Sequence, residues 1–302
     1  MAISLNEIEA PGYGLYEVAE LRLLYQLYEE AQRTRIAHGE RLRAIFQGRS
    51  FAGAEAGKGD PDELLKEVST GVSVGAPQLL ERAYARAKDD ELSAAAGLRD
   101  AISLHPVWPW LSTVKGIGHL LAARLLSRLD VERASTPSAF WAYCGLATIP
   151  GVAFKCATCG LDIAYPLGYE PNGPHQKRSG TGTCTGALET VPGSGPIRVA
   201  PRRSALGGRA GYDARAREAC YLVGISMLRC GSEYRESYDA EREKLAAMRP
   251  GWTPKRCHLS AMRKMEKAFL RDLWIAWRRA VGLPMVGPYV PNSQQRNAQK
   301  PR

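Results

Sequence analysis

Cys156-Ala157-Thr158-Cys159-Gly160 has the form of a zinc knuckle, in which the small glycine lets backbone N–H groups turn toward the thiolates. A tetrahedral zinc site needs two further ligands, and His175 and Cys184 are the best placed in the same stretch. A site made of Cys156, Cys159, His175 and Cys184 is closed and structural, and it stabilises a segment with too little apolar content to fold alone. Reduced surface thiols are the alternative for these cysteines. A redox disulfide motif would want a strand-to-helix setting, which the segment lacks.

A second constellation is Trp110-Leu111-Ser112-Thr113-Val114-Lys115-Gly116-Ile117-Gly118-His119, a helix–hairpin–helix-like turn that runs into an apolar helix from Leu120 to Leu129. Gly-Ile-Gly between two helices allows a tight turn and leaves backbone N–H groups at the start of the second helix, where a phosphate is attracted. Lys115, Gly116, Gly118, His119 and, on the helix, Arg124 are therefore candidate contacts to a nucleic-acid backbone.

The charge distribution points the same way. The formal net charge is +10, yet residues 198–302 hold 22 Lys+Arg against 9 Asp+Glu, while the other 197 residues hold 19 against 22. The whole positive charge lies in the last third, a polarity suited to a polyanion. Arg202, Arg203 and Arg209 sit among Gly and Ser on backbone able to follow phosphates, and Lys177 and Arg178 lie on another Gly-rich stretch. Arg215, Arg217, Lys255, Arg256, Arg263, Lys264, Lys267 and Arg271 sit on helices whose other faces are apolar. A solvated helix face is the bland reading of such a run, and the scarcity of interspersed acids weakens it. Trp274 and Trp277 have the chemistry of base-stacking platforms, although their helical spacing favours packing in a core or groove.

Catalytic groups are scarce. A two-metal nuclease needs several converging carboxylates, and the acids here fall mostly on the polar faces of helices. His38, His105 and His258 lack an evident acidic or nucleophilic partner. Ser179 and Ser204 lie on basic, Gly-rich loops and could in principle attack a phosphodiester, without a visible base to activate them. The residues read as a binding protein rather than an enzyme.

These groups must be positioned by helices. Leu15, Val18, Leu21, Leu24, Tyr25 and Tyr28 recur at three- and four-residue steps, which predicts one long helix from Leu15 to Phe46. Asp60-Pro61-Asp62-Glu63 is a helix start, with Asp60 as N-cap and Pro61 in the first turn. A further helix is expected from Pro77 to about Ala95, completing a coiled-coil arm at residues 1–105. Pro137 opens a helix carrying Phe140, Trp141, Tyr143 and Leu146. Residues 152–211 are rich in Gly, Pro, Ser and Thr and lack a helical period, so they read as an irregular insertion with its own staple. Helix returns at Asp213, breaks near Cys230, continues to Met248, and resumes after Thr253-Pro254 to about Val281. The fold class expected is all-α: a helical arm, a helical domain at 106–290 interrupted by a zinc-stapled insertion, and a flexible tail at 291–302. No apolar run approaches the length of a membrane span, the N-terminus lacks a signal-peptide layout, and the seven cysteines are not spread as a disulfide framework. A soluble intracellular protein, of pI near 9.3, is the expectation.

Val114-Lys115-Gly116-Ile117-Gly118 and Phe140-Trp141-Ala142-Tyr143-Cys144-Gly145-Leu146-Ala147 resemble the C-terminal domain of bridge-RNA-guided transposases, with a looser likeness over 211–281. The zinc-like insertion and Lys115 before the first glycine depart from that family, and residues 1–105 show nothing like its ribonuclease-H-like domain with four acids. The helical arm, Ala123-Arg124-Leu125-Leu126 and Thr136-Pro137-Ser138 instead resemble the Nop domain of box C/D ribonucleoproteins, as found in TIGR-Tas proteins without a nuclease domain. That resemblance implies a cytoplasmic ribonucleoprotein of a prokaryotic or phage-infected cell. A guide RNA would be bound by the Nop-like domain, target DNA chosen by base pairing, and a homodimer formed through the arm. The competing expectation is a serine-type DNA transposase or recombinase using Ser179 or Ser204.

Overall fold

The computed structural model describes residues 18–49, 59–177, 179, 181–192, 197–201 and 211–285. The chain is mostly helical and divides into two units, one formed by 1–112 with 118–128, the other by 113–117 with 129–302.

The first unit is all helix among its described residues: α1 (Val18–Phe46), α2 (Pro61–Ser69), α3 (Gln78–Ser103), α4 (Trp108–Leu111) and α5 (His119–Leu126). Asp60 caps α2 by accepting a hydrogen bond from Asp62 N at 2.9 Å, and Pro61 occupies the first helical position, where its missing N–H costs nothing. Helices α1 and α3 run antiparallel, with Arg35 ion-paired to Glu91 and Gly39 facing the Tyr84 ring four residues further along α1. Leu42 and Ile45 of α1 pack with Leu64, Leu65 and Val68 of α2 and with Tyr84 of α3. Helix α3 continues eight residues past the expected Ala95, because Leu98, Ala101 and Ile102 extend its buried stripe.

Between α2 and α3 the chain is pinned by one carboxylate. Glu81, buried on α3, accepts from Ser73 Oγ at 2.8 Å and from the backbone N–H groups of Val74 and Ala76, both at 3.0 Å. A charged acceptor serving two buried amides satisfies donors that have no other outlet.

The second unit holds α6 (Pro137–Tyr143), α7 (Ala214–Cys230), α8 (Tyr234–Met248) and α9 (Pro254–Ala280), joined to a sheet. Asp213 caps α7 through Ala216 N at 2.7 Å, and Thr253 caps α9 through Arg256 N at 3.3 Å. Helix α9 is the spine, and it buries Met262, Met265, Phe269, Leu270, Leu273, Trp274 and Trp277. Burying each side chain of that size contributes roughly 1.5–3 kcal/mol. Both tryptophans are core residues: Trp277 lies 6.4 Å from the Phe140 ring, and Trp274 donates its indole N–H to Ala134 O at 2.7 Å. Arg278 is also inside, donating to the carbonyls of Val131, Ala134 and Pro284.

The all-α expectation is corrected at the insertion. Residues 149–199 contain a four-stranded antiparallel sheet centred on β1 (Ile149–Cys156). One flank is β2 (Asp162–Pro166), in register from Gly151 opposite Pro166 to Lys155 opposite Asp162. Strand β5 (Leu188–Thr190) pairs the end of β1, and β6 (Ile197–Val199) pairs its start. A separate two-stranded ladder joins β3 (His175–Gln176) and β4 (Thr183–Cys184). Strands of two to eight residues interrupted by Gly and Pro carry little local signal, and long-range pairing makes the sheet. Among the described residues no helix is long and apolar enough to cross a membrane.

Candidate metal centre and nucleic-acid interface

The sheet and the small ladder bring the four predicted ligands together. Cys156 ends β1, Cys159 lies in the turn to β2, and the β3–β4 register sets His175 directly opposite Cys184. The turn is a knuckle: Gly160 N donates to Cys156 O at 2.9 Å, with Gly160 at a φ of 68° that L side chains resist. One ligand atom from each of the four residues lies within 4.8 Å of the others.

The individual distances suit a tetrahedron. Cys156 Sγ and Cys184 Sγ are 3.9 Å apart, and Cys159 Sγ is 3.3 Å from His175 Nε2. Tetrahedral thiolates at about 2.3 Å from one ion are about 3.8 Å from each other, whereas a disulfide would need about 2.0 Å. Gly186 N donates to Cys184 Sγ at 3.4 Å. A Cβ at Gly186 would stand 2.4 Å from Thr158 Oγ1 and 3.0 Å from Cys156 Sγ, so glycine is required beside the knuckle. His175 Nδ1 is buried with no hydrogen-bond partner. The Nε2 atom of the same ring lies against Cys159 Sγ, so both ring nitrogens lack a backbone or carboxylate partner and one of them is available to an ion. This Cys3His group can hold a metal ion.

The other thiols have a different setting. Cys144 and Cys220 are both buried, and the Cys144 thiol together with burial pushes Cys220 well above the ordinary thiol range. A thiol kept protonated is neither nucleophile nor ligand.

The turn of the second constellation is built differently from its sequence-level rationale. Gly116 has a φ of 95°, and a Cβ there would lie 2.8 Å from Ser226 O of α7. Ser226 Oγ in turn donates to Gly116 O at 2.6 Å. Close helix approach, beyond turn geometry, is what demands this glycine. Gly118 is the N-cap of α5, with no side-chain cap, and Lys115 is exposed. The His119 ring stacks on Trp108 at 4.2 Å between centroids and meets Ser103 Oγ at 3.2 Å, while Arg124 is half-buried facing Tyr25 and Tyr28.

The basic residues separate into two groups. Lys177, Arg215, Lys255 and Arg256 are exposed, with Arg256 4.2 Å from the Trp252 ring centroid. Lys264 is ion-paired with Glu241, and Arg271 with Asp272 at 2.8 Å, which raises the Arg271 guanidinium further. Arg217 and Arg263 turn instead toward Gly145, just after α6, and Lys267 toward the Trp141 ring on α6. Arg178, Arg202, Arg203, Arg209 and Ser204 lie outside the described residues. Ser179 is exposed, its hydroxyl 3.3 Å from Thr181 Oγ1.

Residues 109–151 match the family model of the Transposase IS116/IS110/IS902 family. The matched stretch is less than half of the chain, and it contains Val114–Gly118 and Phe140–Ala147. It runs through most of α4, the Gly116–Gly118 turn, α5 and α6 to the first residues of β1. No curated protein matches the chain.

Arg198 and Glu266 join the candidates that the sequence pattern points to. Arg198 on β6 donates to Thr148 through Nε at 3.0 Å and through Nη2. Glu266 is buried on α9 near Arg263 and Arg217, and burial lifts its carboxyl to about 7 against the pull of those two cations. A lone acid inside an amphipathic helix's apolar stripe was the available signal for Glu266. Arg198 had none, because its strand was not recognised.

Proposed function

We propose that the protein binds a structured guide RNA and presents it to a DNA target, acting as the protein scaffold of a ribonucleoprotein. The observation that supports it is the match of residues 109–151 to the Transposase IS116/IS110/IS902 family, on the residues where this chain resembles bridge-RNA-guided transposases. The acid-poor basic helices support a polyanion partner, and the paired α1 and α3 are consistent with a Nop-type arm in a TIGR-Tas-like protein. Cys156, Cys159, His175 and Cys184 would hold a structural zinc, a borderline-soft ion suited to a closed Cys3His set. That ion would fix the fold of the insertion, and phosphate contacts would fall to the cations.

Filter binding with matched structured RNA and duplex DNA at two salt concentrations tests the reading. Tighter RNA binding that falls steeply with salt supports it, and equal or weaker RNA binding refutes it.

The family match also fits a transposase in general terms, and the second reading is a serine-type DNA transposase or recombinase. Supplying co-purified RNA, a complementary DNA and magnesium decides between the two. Guided binding without nicked or exchanged strands supports the scaffold. Product that disappears in Ser179→Ala or Ser204→Ala supports the recombinase.

A further inference from the structure

Arg217 on α7 and Arg263 on α9 direct their Nη1 atoms at one acceptor, Gly145 O, each from 3.0 Å. Arg263 Nη1 also donates to Leu146 O at 3.2 Å, and Arg217 Nη1 reaches Pro201 O at 3.5 Å. A carbonyl oxygen carries only a partial charge, so it orients two full positive charges without neutralising either. Neither arginine has an ion pair among the described residues. Each guanidinium carries five N–H donors, and among the described residues only Nη1 of each is engaged.

Further cations lie on either side of them, at Thr148 and at Trp141. Arg198 is anchored on Thr148, and Lys267 holds its ammonium 4.3 Å from the Trp141 ring centroid. Burial, and then Arg263 and Arg198, draw Lys267 below the ordinary lysine range, while burial and then Arg217 do the same to Arg263. Glu266 is the acid on which Arg263 and Arg217 act, and burial raises its carboxyl against their pull. Positive charge therefore converges here from α7, β6 and α9 with too little negative charge to balance it. Backbone carbonyls hold the forks in place in advance, the arrangement that lowers the cost of binding an anion.

We propose that this cluster is a built phosphate site, in which Arg217 and Arg263 grip one phosphodiester of a bound nucleic acid through their remaining Nε and Nη2 donors, with Arg198 and Lys267 at the rim. The proposal rests on the nucleic-acid reading above and gives it a specific anchor. Paired guanidinium forks match the oxygens of a phosphate better than ammonium groups do.

The test uses the full-length protein, labelled structured RNA, duplex DNA of equal length and, separately, inorganic phosphate. Binding is measured across a salt series for wild type, Arg217→Gln, Arg217→Lys and Arg198→Gln, with Arg242→Gln on the exposed face of α8 as a charge-matched control. Arg217→Gln is expected to weaken binding about tenfold and to lower the salt slope by about one, the signature of one lost phosphate contact. Arg217→Lys should fall between it and wild type, and Arg242→Gln should match wild type. Inorganic phosphate should raise the wild-type melting temperature more than that of Arg217→Gln. If Arg217→Gln does not fold, Arg217→Lys and Arg198→Gln carry the comparison. Arginines that merely brace the fold would lower the melting temperature while leaving the salt slope and the phosphate effect unchanged, which overturns the proposal and spares the nucleic-acid reading. Wild type that binds neither nucleic acid refutes that reading and, with it, the phosphodiester anchor. A phosphate effect that depends on Arg217 would then mark a site for free phosphate instead.

Discussion

Gly145 and Tyr212 are packed so closely that a Cβ on Gly145 would stand 2.8 Å from two atoms of the Tyr212 ring. The same ring lies 5.3 Å from the Arg217 guanidinium, and Gly145 itself sits at a φ of 64°. One glycine thus presents the carbonyl shared by two arginines and admits the aromatic ring that backs one of them. Gly145→Ala must both strain the backbone and displace Tyr212. The expected loss is about 2 kcal/mol or more, read as a lower urea midpoint, together with weaker nucleic-acid binding. An unchanged midpoint would contradict this geometry.

Glu266 makes the fold pH-dependent. Its folded carboxyl titrates at about 7, raised first by burial, against an ordinary value of 4.5. A raised acid favours the folded state when protonated, so its contribution is fully present below about pH 4.5 and is lost as pH rises through about 7. Glu266→Gln keeps the shape and removes the titration. The variant should gain on wild type between pH 4.5 and pH 8, by up to about 3 kcal/mol. Urea unfolding at the two pH values checks it, and a stability difference that does not vary with pH would refute it.

In the first unit, Glu81 serves two backbone amides and Ser73. Glu81→Ala strands the buried N–H groups of Val74 and Ala76, at an expected cost of roughly 3 kcal/mol, and Glu81→Gln should cost less because its amide oxygen still accepts. Denaturant midpoints that rank the two variants in the reverse order would show that the carboxylate is not the organiser of this turn.

What the sequence revealed follows from how local each signal is. Asp60, Asp213 and Thr253 mark helix starts within three residues of the amides they cap, and all three act there. The knuckle was legible for the same reason, since Cys156, Cys159 and Gly160 are one turn of chain. The sheet was not, because β1 draws partners from 162–166, 188–190 and 197–199, none of which alternates long enough to announce a strand. The directions taken by cations were equally hidden. Arg263 and Lys264 are neighbours on α9, yet one reaches back to Gly145 and the other pairs with Glu241 on α8. Charge patterning identifies a basic helix without telling which lysines and arginines bend inward.

The metal centre gives the last expectation. The insertion has few deeply buried apolar groups of its own, among them Phe154, Cys156 and Cys184, so the ion would supply stability that a core supplies elsewhere. Elemental analysis should find about one zinc per chain. Cys156→Ser with Cys159→Ser should release it and raise amide exchange across 149–192, while α7, α8 and α9 keep their protection, because α9 has its own buried core of Met262, Phe269, Leu273 and Trp274. Gly186→Ala offers an independent route, since its methyl would collide with Thr158 and crowd Cys156 without removing a ligand. It should weaken zinc retention against a chelator while leaving all four donors in the sequence. Absence of metal in the wild type, or collapse of the helices together with the sheet in the double-serine variant, would show that these cysteines do not form a closed structural site.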